Sequence, residues 1–299
     1  MNLKSVLFSG VLILLCLCNL SNQASLSDNL TLTYKQKQIL DEFRTLVSSR
    51  LPHEYMKKDI YLVRWLRARN FNIHDAELML INNLEWRKEN GIDTILDEDW
   101  SDFEKDFPFD IQGCDKEGRP VITVPVGDWD IRKAVLAGKQ KRTMRYFDKL
   151  FEEITTYIRI SQEKGENVKQ YDLIVEMSNY NLINQGCAMC IPIYHHFLQT
   201  YANYYPGTGH STTLVNVPNI FLTLWEILIP FRSSRDEFHM YGKNTIEWQA
   251  ALLKFIDKAQ LTKAFGGVRN EPYTSDELKG DGGHFKCPKY VNMSYFFCN

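Results

Sequence analysis

The sequence lacks the features that define several large protein classes. Its apolar runs are shorter than the roughly 20 residues of a membrane-spanning helix. Its net charge is only −2, so global electrostatics does not indicate a nucleic-acid partner. It contains no internal repeat or low-complexity tract, and seven cysteines in 299 residues do not make a disulfide-dependent scaffold. With 44% hydrophobic and 24% charged residues, the composition is that of a globular protein.

The N-terminus has the pattern of a secretory signal peptide. Lys4 precedes an apolar run, and small and polar residues follow it. We expect cleavage near residue 24, with an uncleaved anchor as the alternative, and therefore secretion or delivery to the lumen of the secretory pathway. Asn29 and Asn292 lie in sequons and are candidate glycosylation sites in that pathway.

Two of the seven cysteines belong to the signal, and an odd number remains in the rest of the chain. At least one of them is therefore free or paired elsewhere. We predict a disulfide between Cys287 and Cys298, which are close together in an irregular tail, residues 271–299. Cys187 and Cys190 have C-x-x-C spacing, but their surroundings differ from a thioredoxin-like motif, so we expect two buried structural thiols.

Hydrophobic periodicity divides the chain into a helical unit, residues 33–96, and a larger domain, residues 97–270. In the larger domain strands alternate with helices, which predicts an α/β fold with a mostly parallel sheet covered by helices. The predicted strands are 121–126, 171–177, 212–218 and 237–242, and the predicted helices are 139–164, 182–204, 219–230 and 245–256.

The helix predicted at 219–230 is unusual because it has almost no polar face. Between Ile220 and Ile229 only Thr223 and Glu226 are not apolar. An ordinary surface helix carries polar residues along one whole face. From periodicity alone this is either a core helix packed on both sides or a helix whose two faces meet different apolar surroundings.

Five stretches share their residues and spacing with one family. They are LVRWLRARNFNIHDAELMLINNLEWRKENGIDTIL (62–96), DKEGRPV (115–121), YYP (204–206), VNVPNIF…W…PF (215–231) and GGV (266–268). In this pattern the chain resembles the CRAL-TRIO family of lipid-binding proteins over about residues 35–270. The tail resembles the segment that leads to a C-terminal GOLD domain in some larger members. Because the chain ends at Asn299, we expect no such domain to follow.

The resemblance implies a pocket that encloses a single lipid, closed by helix 219–230 as a gate. The inner face of a gate covers acyl chains and its outer face meets the membrane. Each buried CH₂ is worth about 0.8 kcal/mol, so moving a two-chain lipid through water would cost on the order of 20 kcal/mol. Pro218 and Pro230 are the predicted hinge boundaries.

Side-chain alternation suggests pocket residues, since residues i and i+2 of a strand share a face. It does not say which face of each strand is turned to the lipid, and Ile122, Val124 and Val126 form the alternative set. The candidate lipid-binding residues are Val121, Thr123, Ile174, Glu176, Leu214, Asn216, Phe221, Leu222, Leu224, Trp225, Leu228 and Ile229.

Two basic groups are further candidates. Arg64 and Arg67 match leader arginines of the family and are possible phosphate-facing residues. A local basic cluster is either a solvated helix face or a surface that docks on anionic membranes, where each cation contributes roughly 1 kcal/mol. Its candidate docking residues are Lys139, Lys141, Arg142 and Arg145.

Two departures from the family narrow the ligand. Phosphatidylinositol-transferring members carry Glu and Lys where this chain has Gly207 and Ile229, and a buried phosphate without its counter-charge is expensive. We therefore expect a neutral or weakly polar lipid, such as a sterol, retinoid, tocopherol, fatty acid or diacyl lipid, rather than phosphatidylinositol.

The overall hypothesis is a monomeric lipid carrier that contacts membranes transiently and has no catalytic residue, metal or cofactor. Its protein partners are unknown. The main alternative is an interaction module that reports lipid occupancy to a protein partner. An enzyme, either a thiol oxidoreductase through Cys187 and Cys190 or a hydrolase through Ser211, is the third possibility. Ser211 precedes a strand, whereas a nucleophile elbow follows one.

Overall fold

The computed structural model describes residues 31–231 and 237–272. The predicted signal peptide, the sequons at Asn29 and Asn292, and the proposed Cys287–Cys298 pair lie outside these residues. Within the described ranges, no helix combines the length and the apolar character that a membrane crossing requires.

Three helices form the N-terminal part: α1 (Tyr34–Val47), α2 (Asp59–Ala68) and α3 (Ile73–Glu89). Helix α1 begins with a capping box, in which the Thr33 side chain accepts a hydrogen bond from the Gln36 backbone and the Gln36 side chain accepts one from Thr33. Apolar residues on the inner faces of the three helices share one small core. This core includes Leu40, Phe43, Leu62, Leu66 and Leu80, all fully buried.

A five-stranded sheet forms the centre of the larger part, and its strands follow chain order. The strands are β1 (Asp110–Cys114), β2 (Pro120–Val124), β3 (Tyr171–Glu176), β4 (Gly209–Val215) and β5 (Glu237–Met240). Strand β1 pairs with β2 antiparallel, and all later neighbours are parallel. The predicted α/β class with a mostly parallel sheet is confirmed, and β1 is a strand that the sequence analysis did not predict.

Helices cover both faces of this sheet. The helices of the larger part are α4 (Ser101–Glu104), α5 (Ile131–Leu136), α6 (Gln140–Glu163), α7 (Ile191–Tyr204), α8 (Phe221–Leu228) and α9 (Thr245–Phe255). Helix α9 and the turns after it pack on one face, where Trp248 and Leu252 meet Val121, Ile174 and Val215. Helices α6, α7 and α8 cover the opposite face.

Helix α7 begins at Ile191, nine residues later than the prediction of a helix from residue 182. The Asn181 side chain accepts hydrogen bonds from the backbone of Ile183 and Asn184, and this local turn competes with a helix.

The turn before α7 also brings the Cα atoms of Cys187 and Cys190 to 5.1 Å, and the two form a disulfide. The prediction of two free structural thiols is therefore wrong. Cys190 is fully buried and Cys187 is half-buried. Cys114 is disulfide-bonded as well.

Candidate functional site

A large apolar cavity lies between the sheet and helices α6, α7 and α8. Together with its open mouth it measures about 1340 Å³. Its floor is formed by side chains of the central strands, and its roof by aromatic side chains of the helices. The floor includes Ile122, Leu173 and Val175, and the roof includes Phe151, Phe197 and Trp225. No Asp, Glu, Lys, Arg or His lines the cavity among the described residues.

Helix α8 closes one side of this cavity and is apolar on both its faces. On the inner face, Phe221 and Leu228 are buried and line the cavity. The Trp225 ring stacks on Phe238, with 4.6 Å between the ring centroids. On the outer face, four apolar side chains are each between 45% and 50% exposed. They are Ile220, Leu222, Ile227 and Ile229. The structure thus excludes a core helix that is packed on both sides.

Side chains help to hold the turn that leads into α8. Asn216, directly after β4, has a left-handed backbone with φ of 56°. Its side chain donates to Glu176 Oε1 at 2.8 Å and accepts from Trp248 Nε1 at 3.1 Å. The backbone of Phe221 then donates to the carbonyl of Pro218 at 2.9 Å. These contacts fix the base of α8, so its entry point is defined even though its outer face is bare.

The structure corrects the strand residues that were predicted to line the pocket. Leu214 lines the cavity, because it pairs with Val175 and shares its face. The residues that pack or bond on the α9 side of the sheet instead are Val121, Thr123, Ile174, Glu176 and Asn216. The alternative set, represented by Ile122 and Val124, faces the cavity. On β2 the two sets are equally buried and start with Val121 and Ile122, so alternation alone could not choose between the faces of that strand.

The residues predicted on helix 219–230 divide between its two faces. Phe221, Trp225 and Leu228 line the cavity, and Leu224 is buried beside them. Leu222 and Ile229 point outward and do not line it. The helical period accounts for this division, since residues three and four apart share a face.

Arg64 and Arg67 do not share one site. Arg64 lines a separate polar cleft and donates to the carbonyl of Lys169 at 2.6 Å. Burial lowers the pKa of Arg64 to about 10, and burial also lowers the pKa of Arg67. Arg67 lines neither this cleft nor the apolar cavity.

The proposed membrane-docking cluster is largely neutralised by the chain itself. Lys139 lies 3.2 Å from Asp102, and Arg142 lies 2.8 Å from Glu98. Arg145 also binds Glu98, and hydrogen bonds from Arg145 lower the pKa of that carboxyl.

The Arg142 guanidinium lies 3.7 Å from the centre of the Trp100 ring. Lys139, Arg142 and Arg145 therefore tie α6 to the segment before β1, and their role in docking stays a prediction. Lys141 is exposed.

A buried polar cluster lies under α9, away from the cavity. Asp172 accepts a hydrogen bond from Ser211 Oγ at 2.6 Å and contacts His210 Nδ1 at 2.8 Å. Asp115, Asp172 and His210 have the spacing of metal ligands, but Arg119 already supplies a cation at 2.7 Å from Asp115. Ser211 bonds an aspartate rather than a histidine base, so the cluster does not have the geometry of a hydrolase.

Comparison with known proteins now adds to this geometry. Residues 104–267 match the model of the CRAL/TRIO domain. The chain belongs to the CRAL-TRIO family. It is 27% identical over 304 residues to the phosphatidylinositol/phosphatidylcholine transfer protein SFH4 of Arabidopsis thaliana, which covers 90% of this chain and 46% of that protein. SFH7, a protein of the same description and organism, is 27% identical over 241 residues, covering 78% and 43%.

The CRAL-TRIO chain thus spans less than half the length of these curated relatives. Among solved structures, the crystal structure of Sfh5 superposes with a TM-score of 0.63 at 14% identity, over 82% of this chain and 91% of that one. At that identity the likeness shows the fold alone.

Proposed function

We propose that this chain binds one lipid molecule in the apolar cavity and carries it between membranes. The observation that carries the proposal is a cavity without charged lining residues, closed by a helix that is apolar on both faces. The names of SFH4 and SFH7, which describe lipid transfer proteins, support it.

The proposed mechanism is an outward swing of α8 at a membrane. The swing would separate Trp225 from Phe238 and Phe221 from Tyr180, whose ring centroids are now 4.6 and 5.4 Å apart. Outer-face side chains would enter the lipid as the inner face opens, so apolar surface stays covered throughout. Each CH₂ kept from water saves about 0.8 kcal/mol, which makes this cover a large part of the transfer barrier.

The proposed ligand is neutral or weakly polar. A charged headgroup in the cavity would be buried without a partner among the described lining residues, which is expensive. The Tyr194 hydroxyl is buried at the cavity wall and has no hydrogen-bond partner in the described part of the chain. A lipid with an oxygen acceptor, such as a sterol, retinoid or ester lipid, fits that hydroxyl better than a pure hydrocarbon.

The first experiment is native mass spectrometry of the chain secreted by a eukaryotic host, followed by identification of the released lipid. We expect a stoichiometric neutral-lipid adduct. Phosphatidylinositol as the adduct would contradict the ligand class, and a chain that is empty and takes nothing from mixed vesicles would contradict lipid binding itself.

A cavity-filling variant tests the site. Val175→Trp places a bulky ring on the cavity floor and should lower lipid uptake from vesicles at least about tenfold, a loss of about 1.4 kcal/mol. Leu136→Trp adds the same ring at an exposed position outside the cavity and is the matched control. Transfer of labelled lipid between vesicles separates a carrier from an occupancy sensor, which would bind lipid but transfer little.

We propose further that the chain acts without covalent chemistry and within the secretory pathway. Burial of Cys190 and the hydrogen bond from Ser211 to Asp172 argue against thiol exchange and ester hydrolysis. The Cys187–Cys190 disulfide supports an oxidising compartment, since such bonds are rare in the cytosol. Insulin reduction, ester hydrolysis and a glycosidase-sensitive mass shift that Asn29→Gln reduces are the measurements that check these points.

A further inference from the structure

Three large apolar side chains are exposed on the loop of residues 181–189, which leads into α7. Leu182, Ile183 and Met189 are 40%, 67% and 44% exposed. None of them lines the apolar cavity. A single exposed apolar side chain is ordinary, whereas several on one short loop indicate a surface that meets another apolar phase.

The loop satisfies its own backbone donors. The four consecutive N–H groups of residues 183–186 all donate to Asn181, the first two to its Oδ1 and the next two to its carbonyl, at 2.9 to 3.3 Å. The N–H of Asn181 donates in turn to Gln185 Oε1 at 2.9 Å. An unpaired N–H is costly in hydrocarbon, so this loop can leave water without that cost.

The loop is also fastened to the body of the protein. The fully buried Gln185 side chain donates from Nε2 to the carbonyls of Gly127 at 3.0 Å and Trp129 at 2.7 Å, in the segment before α5. At the other end, the Cys187–Cys190 disulfide joins the loop to the start of α7. The loop therefore has its shape before it meets a partner, which lowers the entropy cost of binding.

The loop belongs to a stretch of the chain with almost no charge. From Met177 to Phe231 the only Asp, Glu, Lys or Arg is Glu226, whereas charged residues make up 24% of the whole chain. Binding to anionic lipid uses cations, and protein interfaces are usually anchored by Trp, Tyr or Arg. The loop has none of these residues. An uncharged bilayer surface is the partner that fits this chemistry.

The position of the loop places it next to α8. Tyr180 directly precedes the loop, and its ring meets that of Phe221 in the first turn of α8, with 5.4 Å between the ring centroids. Both rings belong to one buried cluster with Met177 and Leu224. A bilayer that meets the start of α8 is therefore within reach of the loop as well.

We infer that the loop 181–189 is a membrane anchor, which inserts Leu182, Ile183 and Met189 into an uncharged bilayer beside α8. The inference rests on the part of the proposed function in which α8 swings outward at a membrane, and it adds a second contact that does not move. Because the loop is fastened at both ends, it holds the chain on the bilayer while α8 opens.

The first test is flotation of the full chain with phosphatidylcholine vesicles. Ile183→Ser combined with Met189→Ser should weaken vesicle binding at least about tenfold, because two apolar side chains no longer enter the acyl region. The control is Ile246→Ser combined with Val268→Ser, which removes similar exposed side chains from α9 and the turn after it. The control should bind like the wild type. Equal binding of the loop variant and the control would overturn the inference.

A second test uses the wild-type chain and needs no substitution. Phosphatidylcholine with a diazirine on an acyl chain labels the residues that it touches, and mass spectrometry of the peptides locates the label. We expect label on Ile183 and Met189 in the presence of vesicles. Label on Leu173 and Val175 alone, on the cavity floor, would overturn the anchor and leave the proposed function intact. Label on the loop alone would support the anchor and contradict lipid binding in the cavity.

A second copy of the chain is the other occupant to test. Sedimentation at rising protein concentration without vesicles detects a dimer. We expect a monomer throughout. A dimer that Ile183→Ser with Met189→Ser abolishes, together with unchanged vesicle binding by that variant, would assign the loop to a contact between copies and overturn the anchor.

Discussion

Both faces of the central sheet carry aliphatic side chains, but on one face these are packed and on the other they line a cavity. On one face, Val121 and Ile174 are covered directly by Trp248 and Leu252 of α9. On the other, Leu173 and Val175 face a cavity of about 1340 Å³. These four residues are all aliphatic, so their different settings depend on the helices that cover them. A binding cavity arises here because one covering layer is held away from the sheet.

Ring contacts between helices stabilise that distant layer. Phe197 of α7 packs against Phe147 and Phe151 of α6, with ring centroids 5.5 and 4.8 Å apart. Phe151 also packs against Tyr201 at 5.7 Å. Such pairs contribute about 0.5 to 1.5 kcal/mol each beyond their buried area. The helices thus stabilise one another and need less contact with the strands below.

The largest predicted effect compares one leucine from each face. Leu252→Ala removes a fully buried side chain between α9 and the sheet and should cost about 2 to 5 kcal/mol of unfolding free energy. Leu173→Ala, on the cavity floor, should cost about 1 kcal/mol or less in the lipid-free chain, because it has fewer partner atoms to lose. Denaturant unfolding of both variants measures the contrast. Equal costs would mean that the cavity face is packed in solution.

Part of this contrast between the two faces could be predicted from the sequence. Strand and helix periodicity gave the α/β class, and the helix 219–230 was distinctive because it lacks a polar face. The choice of strand face was not accessible, since Val121 and Ile122 are equally apolar and only the position of α9 decides between them.

The polar features depend on contacts between distant parts of the chain. Arg87 and Glu152 are 65 positions apart, and their pairing follows from how α3 meets α6. The loop before α7 was missed for a local reason, because the Asn181 turn competes with helix in a sequence of ordinary helical propensity. An Asn whose side-chain oxygen can accept from the backbone N–H groups two and three residues later is a weak signal that could have indicated it.

The next largest predicted effect concerns the turn before α7, one of the helices that cover the cavity. The Cys187–Cys190 disulfide fixes the turn that begins α7, whose rings form the roof. Replacing both cysteines by Ala should lower the unfolding free energy by about 2 kcal/mol, the chain-entropy value for a very short loop. Reductant should destabilise the wild type more than the double variant, in which Cys114 is still disulfide-bonded. Equal reductant effects on the two proteins would place the effect at Cys114 rather than at the turn before α7.

A smaller effect is expected on membrane binding by the outer face of α8. Leu222→Ser combined with Ile227→Ser removes outer-face apolar groups from α8 and should weaken binding to neutral vesicles at least about tenfold. Stability should change little, since both side chains are already half exposed. Vesicle flotation measures this, and Arg142→Gln on anionic vesicles is the comparison. A larger loss for Arg142→Gln would return the docking role to the basic cluster.

The smallest predicted effect concerns His210 and its partner Asp172 on the packed face. It tests whether this buried pair stabilises the fold through charge. Burial disfavours the charged imidazole, but the hydrogen bond and charge of Asp172 outweigh burial and, with Glu237 and against Arg119, raise the pKa of His210 above 6.5. The stabilisation is therefore fully present below pH 6.5, the ordinary value, and is lost as pH rises through the raised value.

His210→Asn should accordingly cost about 1 kcal/mol in acid and less in base. Denaturant unfolding at about pH 5.5 and about pH 8.5 measures the difference between the two conditions. His74→Asn, at an exposed position on α3, is the control variant. A cost that grows with pH would mean that His210 is held neutral in the folded chain. The Asp172 cluster would then stabilise the packed face through neutral hydrogen bonds rather than through charge.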